Sequence, residues 1–223
     1  VRLRERAFNQ FLEDTLKSRY QPYAVCVRPE DVPFTQSFFE VQKRTEFIIA
    51  SVAGFPDGSW YTIDFKAAET HLALDNGAKE IDMVINYDFL IANDLNYVRG
   101  ELQVIQKIAN VYRASVKVIL ETSELTHEQI IKACRIADEE GIAFVKTSTG
   151  FGKYGALPGE VALMREHFPR GIKAAGGVTV ERVVSLIEAM SGRKDGLVEI
   201  NPQKVRIGES GLLNQLYKFY HPD

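Results

Sequence analysis

Three features of the sequence predict an α/β fold, and within that class a TIM (β/α)8 barrel. Apolar strand-like runs alternate with helical patterns along the whole chain. The runs recur about every thirty residues, which is the size of a βα unit. A length of 223 residues with this many repeats favours a closed barrel over an open doubly wound sheet.

Seven strand-like runs are clear, whereas a barrel of this type needs eight. They begin at Tyr23, Phe47, Glu80, Ser115, Ala143, Gly171 and Lys204. The stretch before them reads as helical, and only Phe11 to Thr15 offers a clipped first strand, too close to Tyr23 to leave room for a helix. The first β/α unit is therefore expected to be degenerate, truncated or unresolved, and any gap in the barrel should lie there. No linker or composition shift divides the chain, so residues 1–223 are predicted to form a single barrel domain.

The helical segments carry their own start and stop signals. Thr126 and Gln129 form a predicted capping box, and Gly141 supplies the stop of that helix. Thr179 is a good N-cap for the helix expected to end near Gly192.

Composition narrows the classes of partner. The net charge of −3 provides no basic surface for nucleic acid. No run is long enough to span a membrane and no signal-peptide pattern opens the chain, so a cytoplasmic protein without a membrane partner is expected. The two cysteines, Cys26 and Cys134, have no CxxC spacing and predict neither a disulfide nor a zinc site.

Charged residues inside the strand runs are the candidates for chemistry. Strand alternation places Asp82, Lys117, Lys146 and Lys173 on the faces expected to point into the barrel. An ammonium beside another ammonium loses its proton more easily, and a free amine is what Schiff-base chemistry requires of a lysine. An internal network of ion pairs would produce the same pattern, so both interpretations stay open at this point.

Three glycine-rich strand ends predict a phosphate site. Thr149 with Gly150, Gly176 with Gly177, and Gly208 with Ser210 follow the last three strand runs, where barrels often bind phosphate through backbone amides. Ordinary turn chemistry explains any one of these ends alone. No Walker, GxGxxG or HExxH motif appears, and neither a metal nor a cofactor is expected.

Seven motifs resemble the deoxyribose-phosphate aldolase family, whose members are class I, Schiff-base aldolases with a (β/α)8 barrel. The motifs are AVCVRP at Ala24, GFPDG at Gly54, EIDMVIN at Glu80, KVILET at Lys117, FVKTSTGF at Phe144, IKAAGGV at Ile172 and RIG at Arg206. The resemblance implies that Lys146 forms the Schiff base, that Lys173 lowers its pKa and that Asp82 relays protons. It also implies a substrate and phosphate site, for which the candidate residues are Lys117, Cys26, Thr149, Gly150, Gly176, Gly177, Gly208 and Ser210.

The implied activity is a lyase that reversibly cleaves 2-deoxy-D-ribose 5-phosphate to D-glyceraldehyde 3-phosphate and acetaldehyde. Its partners would be small sugar phosphates and aldehydes, and a homodimer is an open alternative to a monomer. Two departures from the family pattern stand out. Only Asp14-Thr15 remains of the first strand's Asp-His-Thr, and in the last loop Glu209 stands where the family usually has a small or hydroxyl residue and Gly211 where it has a serine. The alternatives are another Schiff-base sugar-phosphate aldolase, or a catalytically impaired barrel that only binds sugar phosphates.

Overall fold

Seven parallel β-strands form one sheet in the computed structural model, which describes residues 2–192 and 200–221. Each strand pairs with the next one along the chain, in the order β1 to β7. All of the predicted strand runs are therefore confirmed. The strands are β1 Ala24–Val27, β2 Ile48–Ala53, β3 Glu80–Val84, β4 Ser115–Ile119, β5 Phe144–Lys146, β6 Gly171–Ala175 and β7 Val205–Gly208.

Helices connect the strands, as an α/β barrel requires. They are α1 Arg2–Lys17, α2 Val32–Val41, α3 Ile63–Asp75, α4 Tyr87–Ile91, α5 Leu95–Val111, α6 His127–Glu139, α7 Pro158–His167, α8 Val180–Ser191 and α9 Leu212–Tyr220. Within these ranges no helix has the length and apolar character needed to cross a membrane. The main core lies between the sheet and the helices, where strand residues such as Val116, Val118 and Val145 are fully buried.

The opening segment is a helix, and the candidate first strand from Phe11 to Thr15 was wrong. Those residues belong to α1, where Lys17 pairs with Glu13 one turn earlier and Leu12 is fully buried. Charged pairs at this spacing and an apolar stripe are features of an amphipathic helix. No strand therefore precedes β1 in the described chain.

A gap separates the first and last strands of the sheet. Within residues 2–192 and 200–221 no backbone pairing joins β7 to β1, so the expected complete closure is not reached, while the gap lies at the N-terminal unit as predicted. Side chains bridge it instead: Gln203 donates a hydrogen bond to the Tyr23 hydroxyl at 3.1 Å, and the Arg206 guanidinium lies 4.4 Å from the Tyr23 ring centroid. Ser18, just after α1, contacts Asn214 of α9 at 3.3 Å.

The predicted helix signals are largely confirmed. Thr126 and Gln129 form the capping box of α6, and Gly141 follows that helix with φ of 73°. Thr179 precedes α8 and Gly192 ends it in the left-handed region, but the Thr179 side chain caps no backbone amide of the helix. The Thr179 hydroxyl bonds the Glu181 carboxylate instead, and that carboxylate also accepts from the Glu181 amide in the first turn of α8.

A buried ion pair holds the outer face of the sheet to its helices. Lys66 of α3 and Glu101 of α5 are both fully buried, with 2.7 Å between Nζ and Oε2. Lys66 also donates to the carbonyl of Val84, and Glu101 accepts from the amide of Asn86. The pair therefore satisfies backbone groups at the end of β3, which is the strand that carries Asp82.

Replacing Lys66 by Met should destabilise the protein by about 3–5 kcal/mol, because it leaves the Glu101 carboxylate buried without its partner. Urea unfolding followed by circular dichroism measures the change. The control is Lys132→Met, which breaks the exposed Lys132–Glu128 pair and should change stability by no more than about 1 kcal/mol. Equal effects of the two variants would contradict the structural role of the buried pair.

The loops that follow β5 and β6 pack against each other through glycine. A Cβ atom placed on Gly155 would lie 1.8 Å from the Gly176 carbonyl oxygen, and one on Gly176 would lie 3.3 Å from the Cα of Gly150. The amide of Ala156 donates to the carbonyls of Ala175 and Gly176, each at 3.1 Å. Backbone therefore contacts backbone here, and the two loops are fixed relative to each other.

Gly155→Ala should destabilise the protein by about 1–3 kcal/mol, because the added methyl group meets a backbone oxygen that no rotamer change can move. Gly159→Ala is the matched control, since Gly159 lies in α7 with open space around it. That variant should be stabilised by about 0.4–1 kcal/mol through the loss of glycine's freedom in the unfolded chain. Chemical denaturation curves of both variants test the opposite signs.

Candidate active site

The register of the sheet brings the predicted charged residues together inside the barrel. Asp82 on β3 lies beside Lys117 on β4, and Lys146 on β5 lies beside Lys173 on β6. Their side chains project inward because their strand neighbours project outward into the apolar core. All four residues are buried, with relative exposures of 9% or less.

Asp82 is the acceptor for three ammonium groups. Its Oδ1 lies 2.7 Å from Nζ of Lys117, while its Oδ2 lies 2.7 Å from Nζ of Lys173 and 3.1 Å from Nζ of Lys146. The two candidate catalytic lysines therefore share a single carboxylate oxygen, and Lys146 has the longer contact. The prediction that two inward lysines meet a carboxylate is confirmed by this geometry.

This sharing separates the proton affinities of the two lysines. Burial and the neighbouring Lys173 ammonium lower the pKa of Lys146, and the Asp82 carboxylate only partly opposes them. Burial also disfavours charge on Lys173, but Asp82, Cys26 and Glu80 together outweigh it and raise the pKa of that lysine. For Asp82 itself, burial is outweighed by Lys117, Lys173 and Lys146, so its pKa lies well below the usual range.

A second ion pair supports the cluster from the amino-terminal side of the strands. Glu80 lies 2.6 Å from Nζ of Lys117 and accepts two contacts from Arg206 at 2.6 and 2.8 Å. Burial alone would raise the pKa of Glu80, but Lys117 and Arg206 lower it, and the net effect is a decrease. Sequence reasoning assigned no role to Glu80 or Arg206. The sequence could have pointed to Glu80, because residues two apart on a strand share a face and Glu80 therefore lies on the same face as Asp82.

One large cavity, of about 1350 Å³, joins the lysines to the glycine-rich loops. Lys146 and Lys173 line it, whereas Asp82 and Lys117 lie behind them and are absent from its lining. Lys117, a predicted substrate contact, is thus placed to orient Asp82 instead. The cavity also extends through the gap beside β1 to residues of α1, among them Phe8, Phe11, Asp14 and Thr15.

Cys26 lies on the cavity side of β1, as expected for a residue near the substrate. The residue is exposed to the open cavity, and Val25 and Val27 on either side of it are buried in the core. Desolvation by the surrounding barrel and the Asp82 carboxylate raise the pKa of its thiol, although the lysines oppose them. The thiol is therefore held in its neutral form.

The predicted phosphate residues converge at one end of the cavity. Thr149, Gly150, Gly176, Gly177, Gly208 and Ser210 all line it. Gly150, Gly176 and Gly177 have φ of 92°, 82° and 62°, a region that favours glycine. Gly208 has a different reason, because a Cβ there would lie 2.6 Å from Cε of Lys173. The absence of a side chain at Gly208 lets Lys173 reach Asp82.

Two polar residues of this end have partners within the chain. The Thr149 hydroxyl and amide both donate to the carboxylate of Glu121, which keeps this side chain within the loop framework. The Glu209 carboxylate, from the loop after β7, accepts a hydrogen bond of 3.1 Å from the Val178 amide. Among residues 2–192 and 200–221, no group of three His, Cys, Asp or Glu side chains is placed to hold a metal ion.

Comparisons with known proteins agree with this geometry. The chain is 44% identical over 178 residues to a deoxyribose-phosphate aldolase of Thermococcus gammatolerans, covering 78% of each chain. It is 42% identical over 177 residues to the enzyme of the same name from Enterococcus faecalis, again covering 78% of each.

Solved structures show the same fold. The protein described as QR15, an aldolase, superposes with a TM-score of 0.78 at 30% identity, covering 96% of this chain and 91% of its own. The deoxyribose phosphate aldolase from Aeropyrum pernix superposes with a TM-score of 0.68 at 23% identity, covering 95% and 97%. A sequence model described as DeoC/LacD family aldolase matches residues 8–199. The predicted resemblance is confirmed, and the chain belongs to the DeoC/LacD family of aldolases.

Proposed function

We propose that this aldolase cleaves 2-deoxy-D-ribose 5-phosphate to D-glyceraldehyde 3-phosphate and acetaldehyde through a Schiff base on Lys146. One observation carries the proposal: Lys146 and Lys173 share a single oxygen of Asp82, and their pKa values move in opposite directions. A pair of this kind supplies a free amine and a fixed ammonium side by side. Both are needed for imine chemistry near neutral pH.

Lys146 is the nucleophile in this mechanism. Its pKa is lowered, its side chain lines the cavity, and its contact with Asp82 is the longer of the two. The neutral amine attacks the aldehyde carbon of the open-chain sugar, and loss of water produces a protonated imine. Lys173 is unsuited to this step because Asp82 holds it as an ammonium ion.

The imine then accepts the electrons of the bond that breaks. Water takes the proton of the C3 hydroxyl and passes it to the ionised Asp82 carboxylate, so that the C2–C3 bond breaks and C3 leaves as the aldehyde of D-glyceraldehyde 3-phosphate. The bonding electrons form an enamine on the acetaldehyde fragment. Protonation of C2 and hydrolysis of the imine release acetaldehyde and regenerate Lys146.

Asp82 and Lys173 handle the protons of this sequence. Asp82 is ionised because its pKa is well below the usual range, so it can take up a proton and it holds the Lys173 ammonium beside the amine of Lys146. Lys173 lines the cavity and has no side-chain partner other than Asp82 among the described residues, so it protonates C2 and regains its proton from Asp82. Lys117 and Glu80 fix Asp82 and its neighbours in position.

The remaining expectations about this chain are also proposals. The glycine-rich end of the cavity supports the sugar phosphate as substrate, and both cysteines are free thiols, which supports a cytoplasmic location. A homodimer and a single barrel domain over residues 1–223 stay predictions. The predicted phosphate contacts belong to the same proposal.

Replacing Lys146 by Leu should abolish covalent capture of acetaldehyde by borohydride, because Lys173, the other cavity lysine among the described residues, has a raised pKa. Peptide mass mapping after reduction measures the ethyl label. The control is Lys153→Leu, which removes an exposed lysine from the loop after β5 and should leave the label on Lys146.

A label on Lys173 with Lys146 unmodified would reverse the two roles. If the protein without any substitution takes up no label at all, the result would instead support the alternative of a barrel that only binds sugar phosphates. Capture that proceeds without cleavage of 2-deoxy-D-ribose 5-phosphate would support a different Schiff-base aldolase.

Replacing Lys173 by Leu should move capture on Lys146 to higher pH. The variant removes a cation whose charge lowers the pKa of Lys146 and leaves the Asp82 carboxylate, which raises it. Turnover should fall by about a hundred- to ten-thousand-fold if Lys173 also transfers protons. The pH dependence of labelling, measured beside Lys153→Leu, tests the shift, and an unchanged profile would contradict the electrostatic role.

A further inference from the structure

The glycine-rich end of the cavity has the features of an anion site. Gly176 and Gly177 both have positive φ, and they lead through Val178 and Thr179 into the N-terminus of α8. The Thr179 side chain caps no amide of that helix. Amides at a helix N-terminus favour a negative group, and within α8 the Glu181 carboxylate already accepts from its own amide.

A carboxylate of the chain itself lies at this position. Glu209 follows β7, lines the cavity and accepts the hydrogen bond of the Val178 amide. Its carboxylate has no lysine or arginine partner among residues 2–192 and 200–221. The Glu209 side chain is only half-buried, so packing in the core does not explain why it turns toward the Val178 amide. The Glu209 carboxylate therefore occupies an amide that a bound anion could otherwise use.

We propose that Glu209 is a specificity-determining residue that competes with the terminal phosphate of the substrate. This inference rests on the proposed aldolase function and adds the class of substrate that the site admits. A phosphate entering beside Glu209 meets a second negative charge and finds the Val178 amide already bound. A terminal hydroxyl can instead donate a hydrogen bond to the carboxylate. Glu209 thus reduces the advantage of phosphorylated sugars over 2-deoxyaldoses with a free terminal hydroxyl.

The experiment compares cleavage of 2-deoxy-D-ribose 5-phosphate with cleavage of 2-deoxy-D-ribose. In Glu209→Ala the ratio of kcat/KM for the phosphorylated sugar to that for the free sugar should rise by about ten- to a hundredfold. A hydrogen bond to a charged group typically changes an equilibrium constant by about this factor. The change should appear as a lower KM for the phosphorylated sugar. Glu209→Gln keeps the shape but removes the charge, and it should show a smaller rise of the same sign.

Glu166→Ala is the matched control. Glu166 lies in α7, carries the same charge, is exposed and does not line the cavity. This variant should change the ratio by less than about twofold, because an exposed charge is screened by solvent. An equal change in Glu166→Ala and Glu209→Ala, or no change in either, would overturn the proposal.

Inorganic phosphate gives a test that needs no variant. It should inhibit the unmodified protein only weakly, and tight inhibition competitive with the phosphorylated sugar would overturn the role of Glu209. Borohydride capture of acetaldehyde by the unmodified protein separates the two proposals. Loss of capture contradicts the aldolase mechanism, whereas normal capture with an unchanged substrate ratio contradicts the role of Glu209 alone.

Discussion

The site depends on one carboxylate that is shared among three buried ammonium groups. Without Asp82 the interior of the barrel would hold Lys117, Lys146 and Lys173 close together with no adjacent acceptor for the last two. Burial of an unpaired charge costs several kcal/mol, so such a cluster exists only because the carboxylate is present. The same carboxylate cannot satisfy all three cations equally. The least well paired cation, Lys146, is the one whose pKa falls.

Positive charge exceeds negative charge in this interior, and the excess has a chemical use. Glu80 and Asp82 face Lys117, Lys146, Lys173 and Arg206, so two carboxylates meet four basic groups. Release of a proton from one lysine relieves part of the imbalance. The pKa of Lys146 is lowered by its burial and by the Lys173 ammonium, and Asp82 and Cys26 oppose this only in part.

The gap between β7 and β1 changes the shape of the cavity more than its chemistry. Side chains of Tyr23, Gln203 and Arg206 bridge the two edges without a backbone ladder. Arg206 belongs to both features, because its guanidinium also pairs with Glu80 below the lysines. The lysines lie on β5 and β6, away from the gap. The reacting groups are thus positioned by complete strand pairing, while the opening widens access from the side of α1.

The strands, the residues on their inward faces and the family could all be predicted from the amino-acid sequence. Apolar runs and their spacing identify the strands, and a period of two places Asp82, Lys146 and Lys173 on inward faces. The alternation of residues along a strand tells which face a side chain lies on, but it gives neither its distances to other groups nor its rotamer. The folded chain shows three contacts that alternation does not predict: Lys173 makes the shorter contact with Asp82, Glu80 pairs with Arg206, and Glu209 accepts from the Val178 amide. Each of these contacts joins residues far apart in the chain or on different strands, and its geometry follows from the register and packing of the assembled sheet.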